Sequence, residues 1–387
     1  RLELGVAAGL AAAAVFAATA IWQELEYRRA QVAASGENTA AMGEVVSEIL
    51  QNIDPLTPGA EPLEDVISSS TFEKLTTATR DQPQVQREMV ISSGRALLDS
   101  GRYGAVINLV EPLVAELEAV DPKPDRYAEY LSLLGYARYR AGNPQRGQLE
   151  LRRARELQRP NPSLDPGIRA STLQRLALVE RRVGNVAAAR ELIDESIQLL
   201  AERGDRQHAQ ALSQRGLILT DAGDLSGALE SFRTSMGMLA ELPGDHIVRR
   251  AMTLSNMADT QRLAGDLAGA EANAREANSL LQDNVDNPQL LATAATTLGN
   301  VLMARESYEA AGERYQQALE AYREALGPQH PRVGLVAHNL ATAQRLGGDC
   351  AAALVHYDLS IQIAQASYAE DHPELIESRR QRALCQG

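Results

Sequence analysis

Seven turns spaced 39 to 42 residues apart constrain this chain more than any other feature of its sequence. They are Ser100-Gly101-Arg102-Tyr103, Ala141-Gly142-Asn143-Pro144, Val183-Gly184-Asn185-Val186, Ala222-Gly223-Asp224-Leu225, Ala264-Gly265-Asp266-Leu267, Arg305-Glu306-Ser307-Tyr308 and Gly347-Gly348-Asp349-Cys350. A period of this length, with helix-forming sequence on both sides of each turn, specifies a solenoid of stacked hairpins, because one hairpin cannot bury its apolar face alone. Such an array holds other molecules on an extended surface rather than transforming them in a pocket. Abundant Ala, Leu, Glu, Arg and Gln, with only 4% aromatic residues and few alternating β-branched runs, make the expected fold all-α.

With the second residue of each turn as anchor, small residues recur seven positions earlier: Gly94, Gly135, Ala177, Gly216, Ala258, Gly299 and Ala341. Five positions after the anchor stand Val106, Gly147, Ala189, Ala228, Ala270, Ala311 and Ala353. Both sets let two antiparallel helices approach closely at their crossing. Nine positions after it come Val110, Leu151, Ile193, Phe232, Ala274, Tyr315 and Tyr357, mostly larger, which are expected to fill the space between one hairpin and the next.

Small, turn, small, then bulky is a pattern that resembles the tetratricopeptide repeat. The longer period is similar to the kinesin-light-chain type of that repeat, as are the link Gly327-Pro328-Gln329-His330-Pro331, the following His338-Asn339-Leu340-Ala341 and the second link Glu370-Asp371-His372-Pro373. The resemblance covers residues 84–387 and implies about seven helical hairpins.

The first 83 residues read differently. Residues 4–22, LGVAAGLAAAAVFAATAIW, carry no charge and as a helix would rise about 28 Å, close to the hydrocarbon thickness of a bilayer. Nine of them are Ala, so the apolar drive rests on Leu4, Val6, Leu10, Val15, Phe16, Ile21 and Trp22. Gly5 and Gly9 offer a small-xxx-small face through which two such spans would pair as a homodimer. A cleaved signal peptide ending near Ala18-Thr19-Ala20 is the competing reading. Arg1 on one side against Arg28 and Arg29 on the other leaves orientation open. Residues 1–3 are expected to be the remnant of an upstream region. Residues 23–83 read as juxtamembrane helices, a linker at Leu56 to Pro62, and an amphipathic helix near Leu63 to Thr79 that would cap the solenoid.

An Ala-rich span, a helix ending at Ile53-Asp54-Pro55, a second helix, then Asp81-Gln82-Pro83-Gln84-Val85 entering long repeats together resemble the C-terminal half of bacterial membrane-anchored serine/threonine protein kinases. The resemblance implies an inner-membrane protein with periplasmic repeats and a kinase domain of roughly 250–300 residues before Arg1. The chain itself has no Gly-rich phosphate loop, no His-Arg-Asp and no Asp-Phe-Gly, so it would be the non-catalytic sensor part. A membrane-tethered scaffold without a kinase and a secreted soluble adaptor remain alternatives.

Catalytic, metal and cofactor sites are not expected. The six histidines form no HExxH-type pair, and no Ser/His/Asp or Cys/His set stands out. A net charge of -13 and a pI near 5.1 argue against nucleic acid as a partner. In the resembled fold the first helix of each hairpin lines a groove for a protein or peptide ligand. Positions nine, six and three before the anchors supply Arg175, Arg181, Gln214, Asn256, Asp259, Arg262, Asn300, Asn339 and Arg345. The Asn side chains offer a donor and an acceptor to peptide backbone, and the Arg side chains offer forks to carboxylates. Cys350 opens one helix and Cys385 lies near the end of the next, antiparallel one. Either a disulfide between them or two free thiols packed as small apolar groups is compatible with that placement.

Overall fold

The structure is a computed structural model that describes residues 83–99, 102–121, 125–161, 164–244, 246–285 and 287–386. The span Leu4–Trp22, the juxtamembrane helices, the linker and the cap helix fall outside them. Among the described residues no helix is long and apolar enough to cross a membrane.

The described chain is all helical and divides into two compact units, residues 1–179 and 180–387. Unit 1 contains α1 (Pro83–Asp99), α2 (Tyr103–Glu118), α3 (Asp125–Arg140), α4 (Pro144–Gln158) and most of α5 (Pro166–Arg182). Unit 2 contains the end of α5 and then α6 (Val186–Leu200), α7 (Arg206–Asp221), α8 (Leu225–Glu241), α9 (Ile247–Leu263), α10 (Leu267–Asn284), α11 (Pro288–Ala304), α12 (Tyr308–Leu326), α13 (Pro331–Leu346), α14 (Cys350–Ser367) and α15 (Pro373–Ala383).

Each anchored turn ends one helix and starts the next by the same backbone device. The residue after the anchor donates its N–H to the carbonyl five residues back, at 2.8–2.9 Å for Arg102, Asn143, Asn185, Asp224, Asp266, Ser307 and Asp349. That bond requires a left-handed residue at the anchor. Gly142, Gly184, Gly223, Gly265 and Gly348 supply it with φ between 81° and 93°, and Glu306 adopts φ 60° in the sixth turn. In four of the turns the next residue also caps the following helix with its side chain, whereas Asn185 in the third turn donates to Glu180 instead. Asn143, Asp224, Asp266 and Asp349 accept from the N–H three residues on, at 3.2, 3.0, 3.0 and 2.9 Å. His330 and His372 start α13 and α15 likewise, each accepting from the N–H two residues on.

Hairpins close by complementary sizes. A Cβ added at Gly216 would lie 2.5 Å from the Phe232 ring, and one at Gly299 would lie 2.6 Å from that of Tyr315. The bulky residue therefore covers the small residue of its own hairpin. This corrects the expectation that it fills the gap between hairpins, and the reason is register: nine residues past the turn returns the chain beside the position seven before it. Between hairpins, each second helix of unit 2 packs on the first helix of the next, and α7 on α9, α9 on α11 and α13 on α15 touch directly. Hydroxyl pairs join their edges, Ser213 with Thr253 at 3.2 Å and Thr220 with Thr260 at 2.9 Å.

Candidate functional site

On the first helices, positions 13, 9, 6 and 2 before the anchor fall within about 60° of one another around the axis, because 3.6 residues complete a turn. In unit 2 second-helix tyrosines reach this stripe, Tyr322 meeting Thr293 at 2.9 Å and Tyr357 meeting Thr342 at 3.1 Å. The stripe carries Gln210, Gln214, Leu217 and Asp221 on α7 and Met252, Asn256, Asp259 and Leu263 on α9. On α11 it carries Thr293, Thr297, Asn300 and Ala304, and on α13 Leu335, Asn339, Thr342 and Leu346. Of the sequence candidates, Gln214, Asn256, Asp259, Asn300 and Asn339 lie on it. Arg181, Arg262 and Arg345, three before their anchors, sit on the helix edge that turns toward the next first helix.

The polar groups differ in how far the protein satisfies them. Asn300 accepts a 2.8 Å hydrogen bond from the Tyr315 hydroxyl, which leaves its amide nitrogen as the free end. Asn256 and Asn339 make no side-chain hydrogen bond within the described residues. Gln214 is 9% exposed and its Oε1 is buried without a partner. Arg181 pairs with Asp221 on the next first helix at 3.4 Å, and Arg262 lies 3.5 Å from Asp259 one turn earlier. Arg262 and Thr297 both hold the Asp259 carboxylate, while Arg345 Nε is buried without a hydrogen-bond partner. Burial pushes the Asp259 carboxyl above its ordinary pKa, with Arg262 opposing, and pushes the Tyr315 hydroxyl up as well. The amides of Asn256 and Asn339 and the amide nitrogen of Asn300 are the groups on this stripe with capacity left for a ligand.

Arg175 belongs to unit 1. It donates to Ser132 Oγ at 2.9 Å, beside the Thr172 hydroxyl that reaches the same oxygen at 3.0 Å. A shallow depression there is lined by Arg95, Glu129, Ser132, Ser171, Thr172 and Arg175. The described residues contain no group of three His, Cys, Asp or Glu arranged to hold a metal ion.

Sequence reasoning missed Met252, Leu263, Leu335 and Leu346, which share the stripe and stay exposed. The i, i+4, i+7, i+11 spacing from 13 to 2 before the anchor would have found them, had the stripe been followed past the polar positions.

Cys350 and Cys385 are joined as a disulfide, their Cα atoms 5.2 Å apart. It ties α15 to the start of α14, and Cys385 packs against Ala341, Ala353 and Tyr357.

Residues 290–366 match the family model for the tetratricopeptide repeat. The chain carries a tetratricopeptide repeat domain. Among curated proteins it is similar to tetratricopeptide repeat protein 36 from Bos taurus, 38% identical over 68 residues, which are 18% of this chain and 32% of that protein. The Mus musculus protein is 35% identical over 79 residues, 18% of this chain and 38% of its own. This chain therefore spans only about a third of the length of either relative. Among solved structures it is similar to a Rap protein complexed with competence and sporulation factor (TM-score 0.59, 13% identity, 78% of this chain and 85% of that one). RapI in its apo form is similar too (TM-score 0.58, 10% identity, 78% and 82%). So is a signal-transduction ATPase with a tetratricopeptide repeat sensor from Pyrococcus horikoshii (TM-score 0.53, 14% identity, 86% and 51%). At these identities the structures share the repeat fold with this domain.

Proposed function

We propose that the solvent stripe of the unit 2 first helices is a groove that binds a segment of a protein or peptide partner. The observation that carries this reading is the row of half-buried amides Asn256, Asn300 and Asn339, with bonding capacity the protein leaves unused on three successive first helices. The Rap neighbour complexed with its factor supports a ligand of this kind. The test is cross-linking of the full chain to partners in its native source, read by peptide mass spectrometry. Asn256→Ala, Asn300→Ala and Asn339→Ala together are expected to abolish the partner cross-links while the protein stays folded, its stability falling only by the roughly 1–3 kcal/mol of the Tyr315 hydroxyl left without Asn300. Equal cross-linking would move the site off this face.

The order of segments in the sequence favours a larger setting, in which the groove is the periplasmic sensor of an inner-membrane serine/threonine kinase. The residues that support it are the uncharged stretch 4–22 and the Ile53-Asp54-Pro55 and Asp81-Gln82-Pro83 junctions. Partner binding would then alter pairing of the spans and so the association of the kinase domains. Intact mass and N-terminal sequencing of the native protein, captured with an antibody to the repeats, test this. A mass well above 41.8 kDa with kinase motifs in the added sequence supports it. A mass near or below that value leaves a tethered scaffold or a secreted adaptor.

A further inference from the structure

We propose that the Cys350–Cys385 disulfide is a redox switch for the α13 end of the unit 2 groove: its reduction releases α15, and with α15 go the contacts that brace Asn339 and Thr342. This rests on the groove reading above and adds how that groove is regulated. Two routes join α15 to the stripe. On the first, Ser378 of α15 hydrogen-bonds His338 at 2.9 Å, and His338 directly precedes Asn339. On the second, Cys385 packs against the fully buried Tyr357, whose hydroxyl lies 3.1 Å from Thr342 Oγ1. The routes converge, because the Thr342 hydroxyl donates to the His338 carbonyl at 2.9 Å and the His338 and Tyr357 rings meet edge to face, 5.7 Å apart.

Without the disulfide, little holds α15 in place. Five of its 11 residues are charged, and only Leu375 and Ser378 are buried. Burying one leucine does not offset the entropy of ordering a whole helix. The pair from Arg382 to Asp358 of α14 is exposed and adds little. Retention of α15 therefore depends on the covalent link.

That link is open to exchange. Both cysteines are half-buried, within reach of a small thiolate. Cys350 is the first residue of α14, where unpaired backbone N–H groups favour its thiolate as a leaving group. The Asp349 carboxylate opposes this, although it is engaged with the Ala352 N–H at 2.9 Å. The co-reactant is a dithiol. One of its thiolates attacks Cys385 Sγ and forms a mixed disulfide, the Cys350–Cys385 bond breaks, and Cys350 leaves as thiolate. The second thiolate of the reductant closes on the first sulfur and expels Cys385. The cysteine pair gains two electrons, the dithiol becomes a disulfide, and its two protons pass to the cysteines.

The test follows isotopically labelled histidine and asparagine side chains of the full chain by NMR, before and after dithiothreitol and after reoxidation. It also measures short peptides selected from a random display library on the oxidised chain. Burial, partly opposed by Glu377, holds His338 below its ordinary pKa while α15 is docked. On reduction its titration is expected to move up toward the ordinary value and the Asn339 amide to shift, while the Asn256 amide on α9 stays in place. Peptides that need Asn339 are expected to weaken about fivefold or more on reduction and to recover on reoxidation. Cys350→Ser with Cys385→Ser should bind like the reduced chain under either condition. Ser378→Ala, which keeps the disulfide and removes only the partner of His338, should give a smaller loss. A disulfide that resists dithiothreitol in the native chain, unmoved His338 and Asn339 signals, or peptides that need Asn339 yet bind both forms equally would overturn the switch and leave the groove standing. Shifts at Asn256 as well would mean general unfolding and overturn it too. Peptides indifferent to Asn256→Ala, Asn300→Ala and Asn339→Ala together, or none selected at all, would overturn the groove and the switch with it.

Discussion

The two units use the same hairpin but satisfy their polar groups differently. In unit 1, charged and aromatic side chains are closed on one another. Arg138, almost fully buried, pairs with both Glu111 and Glu150, Arg87 pairs with Glu129 at 2.6 Å, and the Tyr127 hydroxyl donates to Glu118. The groove stripe of α3 is covered in the same way: Glu129 and Leu133 are buried, and Arg140 lies over the Tyr103 ring at 4.5 Å. In unit 2, alanines and hydroxyl pairs bring the first helices together. Small contacts of that kind leave parts of the outward stripe open, where Asn256, Asn339, Met252 and Leu335 reach solvent. One repeat pattern can therefore build either a sealed surface or a receptive one, depending on whether its long polar side chains find partners in neighbouring helices.

Removing Arg138 is the strongest way to break this contrast. Arg138→Ala leaves the buried Glu150 carboxylate with only the exposed Arg146, 3.4 Å away, and is expected to destabilise unit 1 by about 2–3 kcal/mol. Denaturant unfolding read from a probe in that unit measures it. A loss below 1 kcal/mol would mean that the buried pairs do not hold unit 1 together.

At the other end of the chain, the disulfide closes a loop with a sequence separation of 35 residues. Reduction, or Cys385→Ser, is expected to cost up to about 3–4 kcal/mol in the chain-entropy description. The loss should be confined to α15 and read as faster amide exchange there, because each repeat contacts only its neighbours. Thiol titration of the denatured, unreduced protein should find no free thiol.

Gly216→Ala sharpens the size rule in unit 2, since the new Cβ meets the Phe232 ring. Overpacking of this kind costs about 1–3 kcal/mol. Phe232→Leu in the same chain should return part of it, whereas Gly237→Ala, with nothing within 4 Å, should be neutral or slightly stabilising. The sixth turn works in the opposite direction. Glu306 holds the left-handed conformation that glycine holds in five other turns, so Glu306→Gly is expected to raise stability by about 0.5–1 kcal/mol in the same unfolding measurement.

The smallest effect is one of pH. His338 hydrogen-bonds Ser378 of α15 at 2.9 Å, and Ser378 lies 3.1 Å from Ser360. Burial depresses the His338 pKa, with Glu377 partly opposing. The unfolded chain then binds a proton more readily than the folded one, so the contribution is fully present above about pH 6.5 and falls as pH drops through the folded value. Exchange protection of α15 should decline in that window, and His338→Gln should flatten the decline.

What the sequence determined by itself is the local machinery. The seven anchors, their capping Asn and Asp residues and the small positions before and after each turn act within a few residues of the chain, so spacing reveals them directly. The stripe bearing Asn256, Asn300 and Asn339 follows from the same helical period. Only the tertiary structure decided which of those groups remain available. Tyr315 takes the amide oxygen of Asn300, Asp221 takes Arg181, and among the described residues Met252, Leu263, Leu335 and Leu346 stay about half exposed. It also decided that Phe232 and Tyr315 cover glycines of their own hairpins and that Cys350 reaches Cys385. These outcomes depend on residues about 15 to 40 positions apart meeting through the folding and stacking of hairpins. A period fixes where each side chain points, while its partner is fixed by how closely the helices pack.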